Sequence, residues 1–123
     1  MPVGKKTKKI YALSGCSTCQ RILKDIKAAD KGFEIQDIKT VQISPEEVDE
    51  MKRMAGSYGA LFSKRAIKFR ELGLHEKALG ENDYRALILE EYTFLKRPVA
   101  WVGKKIFVGS EKKTVEELKA ALA

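Results

Sequence analysis

The chain has 123 residues, enough for one domain with a real hydrophobic core. It is 44% hydrophobic and 33% charged, and it holds only two cysteines, which excludes both a low-complexity chain and a disulfide-dense secreted scaffold. No apolar run approaches the ~18 residues of a membrane span, and the net charge of +7 suits an anionic substrate or an acidic partner without specifying either.

Residues 1–7 are polar and basic and read as a frayed start. Lys8 to Leu13 reads as a first strand. A helix is predicted from about Cys16 to Ala29, because Ile22, Leu23, Ile26 and Ala29 fall on one face and Lys31-Gly32 ends the pattern. Phe33 to Lys39 reads as a second strand, so the opening is β-α-β with parallel strands. Ser44-Pro45-Glu46-Glu47 is a helix start: Ser44 caps, Pro45 suits the first helical position and the acids suit the dipole. That helix turns Val48, Met51 and Met54 inward and ends near Gly56. Residues 57–81 are less regular. A longer helix is predicted from about Asn82 to Leu95, with Tyr84, Leu87, Ile88 and Leu95 on one face.

Val99-Ala100-Trp101-Val102 and Lys105-Ile106-Phe107-Val108 flank Gly103-Lys104 and read as a hairpin. Thr114 and Glu117, three apart, match a capping box for a last helix that runs to Leu122. The order is βαβ, a helical insertion over about 44–95, then ββα. Leu13-Ser14-Gly15-Cys16 after a basic start looks like a lipoprotein cleavage box. Only four residues separate Lys9 from Ser14, against the ~7–15 apolar residues that a signal peptide needs, so the chain reads as cytoplasmic.

The two cysteines sit as Gly15-Cys16-Ser17-Thr18-Cys19, between the first strand and the first helix. Free backbone N–H groups and the positive end of the helix dipole favour a thiolate there. The spacing puts the second sulfur one turn above the first, within disulfide reach, as in a thioredoxin-like redox turn. Cys16 is the candidate nucleophile, and the alternative is a cysteine that only packs. Cys19 either resolves an intermediate on Cys16 or is a small residue of the first turn, with reduction left to an external thiol. Zinc does not fit, since a structural site needs four ligands and the chain offers two cysteines and His75, which reads as a surface residue.

Pro98 starts a strand, as either an ordinary edge proline or a cis-proline packed beside the redox turn; the element order favours cis. Arg65 and Arg97 each precede a break in regular structure, and an oxyanion attacked by a thiolate needs such cations. Lys64, Lys68 and Arg70 extend the basic patch around Arg65. Aromatic residues are not interleaved with these basic ones, which argues against direct nucleic-acid binding.

These residues resemble the arsenate reductase (ArsC)/Spx family over about residues 8–122. The turn Gly15-Cys16-Ser17-Thr18-Cys19 carries the resemblance together with Leu61-Phe62-Ser63-Lys64-Arg65, Phe69-Arg70-Glu71-Leu72-Gly73-Leu74 and Leu95-Lys96-Arg97-Pro98-Val99. It implies a single α/β domain over 1–123 with a thioredoxin-like fold, a four-stranded mixed sheet carrying a helical insertion, and a cis-proline at Pro98. In the arsenate reductases of the family, one turn cysteine attacks arsenate, three arginines hold the oxyanion, and glutathione with glutaredoxin completes the cycle. By motif, Cys16 matches the nucleophile, Arg65 the first arginine and Arg97 the second, with Gly15 and Ser17 shaping the turn. The third arginine would lie beyond the hairpin, where the chain reads Gly109-Ser110-Glu111-Lys112. Cys19 is a second departure, because the glutaredoxin-dependent enzymes do not need it.

Spx-like regulators carry a CxxC switch and bind RNA polymerase through its α subunit. The resemblance therefore implies a thiol-dependent oxidoreductase with no bound cofactor or metal, supplied by glutathione and glutaredoxin or by thioredoxin. Its partners would be a small anionic or thiol substrate and a redox protein, with no membrane and no direct nucleic acid. A redox-sensing regulator that binds the polymerase α subunit is the alternative.

Overall fold

The computed structural model describes residues 8–122, so the basic start at 1–7 lies outside the described residues. In chain order the elements are β1 (Lys8–Ala12), α1 (Ser17–Asp25), β2 (Glu34–Asp37), α2 (Pro45–Ala55), α3 (Ile67–Glu71), α4 (Glu81–Glu90), β3 (Val99–Val102), β4 (Lys105–Val108) and α5 (Lys112–Leu122). Short 3-10 turns lie at Gly59–Leu61, Leu74–Glu76 and Tyr92–Phe94. The chain forms two compact units, residues 8–42 with 97–122 and residues 43–96.

The first unit is a four-stranded mixed sheet in the order β2-β1-β3-β4. Strand β1 runs parallel to β2 and antiparallel to β3, and β3 pairs antiparallel with β4. This is the thioredoxin-like α/β arrangement. Gly103, at φ 61°, is the first central residue of the two-residue hairpin turn, a position that favours glycine. In register, Ile10 lies beside Ile35 on one side and Ala100 on the other. Ile10 and Ala100 join Ile22, Ile26, Ala28, Phe33 and Leu118 in one buried cluster, so α1 and α5 cover the same sheet face. Each fully buried aliphatic side chain of this kind is worth roughly 1.5–3 kcal/mol.

Helix α1 is shorter than its apolar pattern predicts. It stops at Asp25, and Lys27 takes a left-handed conformation at φ 55°. The Lys27 N–H donates to the Lys24 carbonyl (3.1 Å) and the Ala28 N–H to the Leu23 carbonyl (3.0 Å), the paired bonds of a Schellman ending. Ala28 is then buried beyond the helix end, and Leu23 packs against the same cluster. A lysine holds the position where glycine is usual.

Helix α5 starts two residues before the predicted cap, and the Val115 N–H donates to the Glu111 carbonyl (3.0 Å). Thr114 therefore lies inside the first turn. The stripe of Val115, Leu118 and Leu122 packs on the core, and that packing outweighs the local capping preference.

In the second unit, α2 begins as the sequence predicts. The Glu47 N–H donates to Ser44 Oγ (3.1 Å), and the Ser44 N–H donates to Glu47 Oε1 (2.9 Å). Val48 and Met51 are buried, whereas Met54 is 39% exposed and does not point inward. Phe62 lies at the centre of an aromatic group, with ring centroids 4.7 Å from Tyr84, 5.0 Å from Phe94 and 5.9 Å from Phe69.

Helix α4 ends at Glu90, short of Leu95. Glu91 is extended, and its carboxylate accepts from the Thr93 N–H and hydroxyl, which caps the following 3-10 turn. Leu95 instead forms an isolated antiparallel bridge with Phe62. Asp49 ties α2 to α4 by accepting from Arg85 Nε (2.8 Å) and from the Tyr58 hydroxyl (2.6 Å).

Among the described residues, no helix is long and apolar enough to cross a membrane. Nor do any three of their His, Cys, Asp or Glu side chains form a cluster that could hold a metal ion.

Candidate active site

Cys16 is the N-cap residue of α1, with extended backbone at φ −96° and ψ 111°. Its N–H donates to the Leu13 carbonyl (3.0 Å), which closes a tight turn over residues 13–16. Its carbonyl accepts from the Gln20 N–H (3.0 Å), the first bond of the helix. No acidic residue occupies the first turn of α1 to compete for its free N–H groups.

Cys19 lies one turn up the helix and is fully buried, while Cys16 is partly exposed, and both thiols are free. Partial burial pushes the Cys16 thiol up. The Cys19 backbone N–H and S–H and the Arg97 guanidinium, which donates and adds a positive charge, outweigh it and hold the thiol below its ordinary value. Burial is the main reason that Cys19 is pushed up to about 11, and the neighbouring Cys16 sulfur adds to the effect. The pair is therefore unequal: the accessible Cys16 thiol in front ionises more readily than an ordinary cysteine, and the buried Cys19 thiol behind it holds its proton and donates to it.

Cys16, Cys19 and Arg97 thus meet in one place in the first unit. The Arg97–Pro98 peptide bond is cis, and Pro98 leads into β3. Ser17 is the first residue of α1 and exposed. Gly15 has no atom within 4 Å of where a Cβ would stand, so bulk alone does not demand glycine there. Arg65 lies in the exposed turn before α3, in the second unit. His75 is exposed on the Leu74–Glu76 turn, with its Nε2 3.8 Å from Glu76 Oε2. Gly109, in the stretch where the family's third arginine would lie, has φ 98°.

Two residues of this site have no counterpart in the sequence reading. Asp37, at the carboxyl end of β2, accepts from the Ser14 N–H (3.5 Å) and the Lys39 N–H (3.1 Å). These donors, with the Ser14 hydroxyl first, hold its carboxyl below the usual carboxylate range. Gln20 Nε2 donates to the Leu13 carbonyl (3.4 Å) from the other side of the turn. The signal for Asp37 was its place at the end of a strand parallel to β1, because parallel strands bring their carboxyl ends to one edge of the sheet.

The model of the ArsC family matches residues 11–118. The chain belongs to the ArsC family. Among its relatives is the uncharacterised protein YusI of Bacillus subtilis (strain 168), 29% identical over 113 residues, which cover 87% of this chain and 93% of that protein. A solved YffB protein superposes with a TM-score of 0.75 at 26% identity, over 95% of this chain and 100% of the other. The arsenate reductase of Vibrio cholerae shares the fold, with a TM-score of 0.70 at 22% identity over 89% of this chain and 95% of that one. Membership of the ArsC family places the chain among proteins of a thiol-oxidoreductase kind.

Proposed function

We propose that this protein is a thiol-dependent oxidoreductase in which Cys16 attacks and Cys19 resolves. The observation that carries the reading is the unequal pair at the α1 N-terminus, with Cys16 stabilised as thiolate by Cys19 and Arg97. The Cys16 thiolate attacks a sulfur of a disulfide substrate, breaking the S–S bond and expelling the other sulfur as a thiolate, or attacks the central atom of a small oxyanion, displacing one protonated oxygen as water; either way a covalent adduct on Cys16 forms. Sulfur in the adduct no longer carries negative charge, so the Cys16 contribution that keeps Cys19 protonated disappears. Cys19 then loses its proton and attacks Cys16 Sγ, which forms the internal disulfide and leaves two electrons on the departing group. Glutathione with glutaredoxin, or thioredoxin, returns two electrons by thiol–disulfide exchange.

Arg97 beside the thiolate supports binding of an oxyanion or carboxylate, and the family pattern adds Arg65. With no arginine in 109–112, arsenate turnover is expected to be weak or absent. The test is a reductase assay with several acceptors, arsenate among them, and with glutaredoxin and thioredoxin as alternative donors. Cys16→Ser should abolish turnover, and Cys19→Ser should retain a partial reaction. Full activity in Cys16→Ser would remove the reading.

The missing third arginine favours one other reading, a redox-sensing regulator that binds the RNA polymerase α subunit. Such a switch needs both cysteines but no complete oxyanion pocket. Retention of the α subunit in a pull-down that depends on the Cys16–Cys19 redox state, without turnover of any acceptor, would select it.

A further inference from the structure

A groove of about 380 Å³ lies between α1, the turn after it and the edge strand β2, wholly within the first unit. That volume is at the small end of the range for small-molecule sites. One wall is apolar, formed by Leu23 and Ala28 with Ile35 of β2. Ile35 is in register with Ile10 and so points to the sheet face that α1 covers. It is nevertheless 46% exposed, because the groove opens beside it. Among the described residues no aromatic ring lines the groove, so nothing there would stack on a base or a flat heterocycle.

The rest of the lining is basic. Lys24 and Lys27 line the groove, and neither has an ion-pair partner among the described residues. Asp30 lines it too and pairs with neither lysine, so two lysines against one aspartate leave one net positive charge. Among the described residues Lys27 is the one non-glycine with a positive φ, at 55°. A lysine at the left-handed position of a Schellman ending gives up stability that glycine would retain. Such strain persists where the side chain has a use. The helix dipole does not supply that use, because Lys24 already stands in the last turn of α1.

We propose that this groove is a binding site for a small aliphatic monocarboxylate, whose chain lies against Leu23, Ala28 and Ile35 and whose carboxylate pairs with Lys24 and Lys27. The single net positive charge matches one carboxylate, and the aliphatic wall matches an alkyl chain. The site is separate from the cysteine turn and does not rest on the oxidoreductase reading.

The test titrates the 15N-labelled protein with octanoate, butyrate and octylammonium, each below its micelle concentration. Octanoate should shift amide resonances within 20–35 and raise the thermal midpoint. Butyrate, with half the chain length, should bind at least about tenfold more weakly, because it loses contact with the apolar wall. Lys27→Gly relieves the left-handed strain, so it should be more stable than the parent and yet bind octanoate roughly fivefold more weakly, the upper range for a partly exposed ion pair. That combination separates lost binding from lost folding. Absence of octanoate binding, shifts confined to residues outside 20–35, equal binding of butyrate or of octylammonium, or an unaltered affinity in Lys27→Gly would overturn the site. Loss of binding in Arg97→Ala would also overturn it, because the carboxylate would then lie at Cys16.

Discussion

At the scale of single residues, the chemistry lies in who donates to the Cys16 sulfur. Its sequence spacing and helix-start position were legible, because they depend on residue types two to four positions apart. Arg97 was legible as a candidate cation, and the structure brings it to the sulfur. Asp37 was missed: its place near the end of a strand read as parallel to β1 was a signal, but the register that brings its carboxylate to the Ser14 N–H is encoded in no local pattern. The donor count gives a pH prediction. A thiol held below its ordinary value reacts at lower pH, so the alkylation rate of Cys16 should reach half its plateau below the ~8.5 of a free cysteine. Removal of a donor reverses the effect: Cys19→Ala and Arg97→Ala should each move that midpoint up towards ~8.5. Iodoacetamide rates against pH measure it, and a midpoint that stays in place in both variants would assign the low value to the helix N-terminus alone.

At the scale of elements, apolar spacing, the hairpin turn and the capping-box match together located every helix and strand of the first unit, but not where the helices begin and end. Ends are decided by the last backbone bonds and by the packing beyond them. The run from Ile22 to Ala29 continues past Asp25, yet the Schellman bonds at Lys24 and Leu23 stop the helix and bury Ala28. The same tension explains Thr114, a good cap that the α5 stripe overrides, and Met54, periodic with Met51 but left exposed near the Gly56 C-cap.

Two stability predictions belong at this scale. Lys27 at φ 55° bears the left-handed penalty that glycine avoids, so Lys27→Gly should stabilise the protein by roughly 0.5–1 kcal/mol, read from its thermal midpoint. Ser44→Ala removes one half of a complete capping box and should destabilise by about 1 kcal/mol. A neutral outcome for Ser44→Ala would mean that Pro45 and the first-turn acids hold the start of α2 without it.

At the scale of the whole molecule, the proposed chemistry would give the cysteine turn two states that differ by one charge and one covalent bond. In the reduced protein the Cys16 sulfur lies beside Arg97; a Cys16–Cys19 disulfide would carry no charge there. Mild peroxide should convert one to the other, with loss of two hydrogens by mass and no free thiol. A sulfinic acid on Cys16, with Cys19 still free, would show that Cys19 does not resolve.

The same geometry predicts how anions act on the reduced protein. An oxyanion that binds to Arg97 and the open α1 N-terminus occupies the approach to Cys16 and places negative charge next to the thiolate. Sulfate or phosphate should therefore slow Cys16 alkylation by blocking access and by raising its pKa. At saturating anion the effect should persist above pH 9, where charge no longer limits the thiolate fraction and only access remains. Arg97→Ala should lose most of this protection, and Arg65→Ala tests whether the family assignment of a second arginine holds for this chain. Anions that leave the alkylation rate of the parent protein unchanged would mean that no oxyanion site adjoins Cys16. The redox pair would then act on a neutral or disulfide substrate, or as a switch without one.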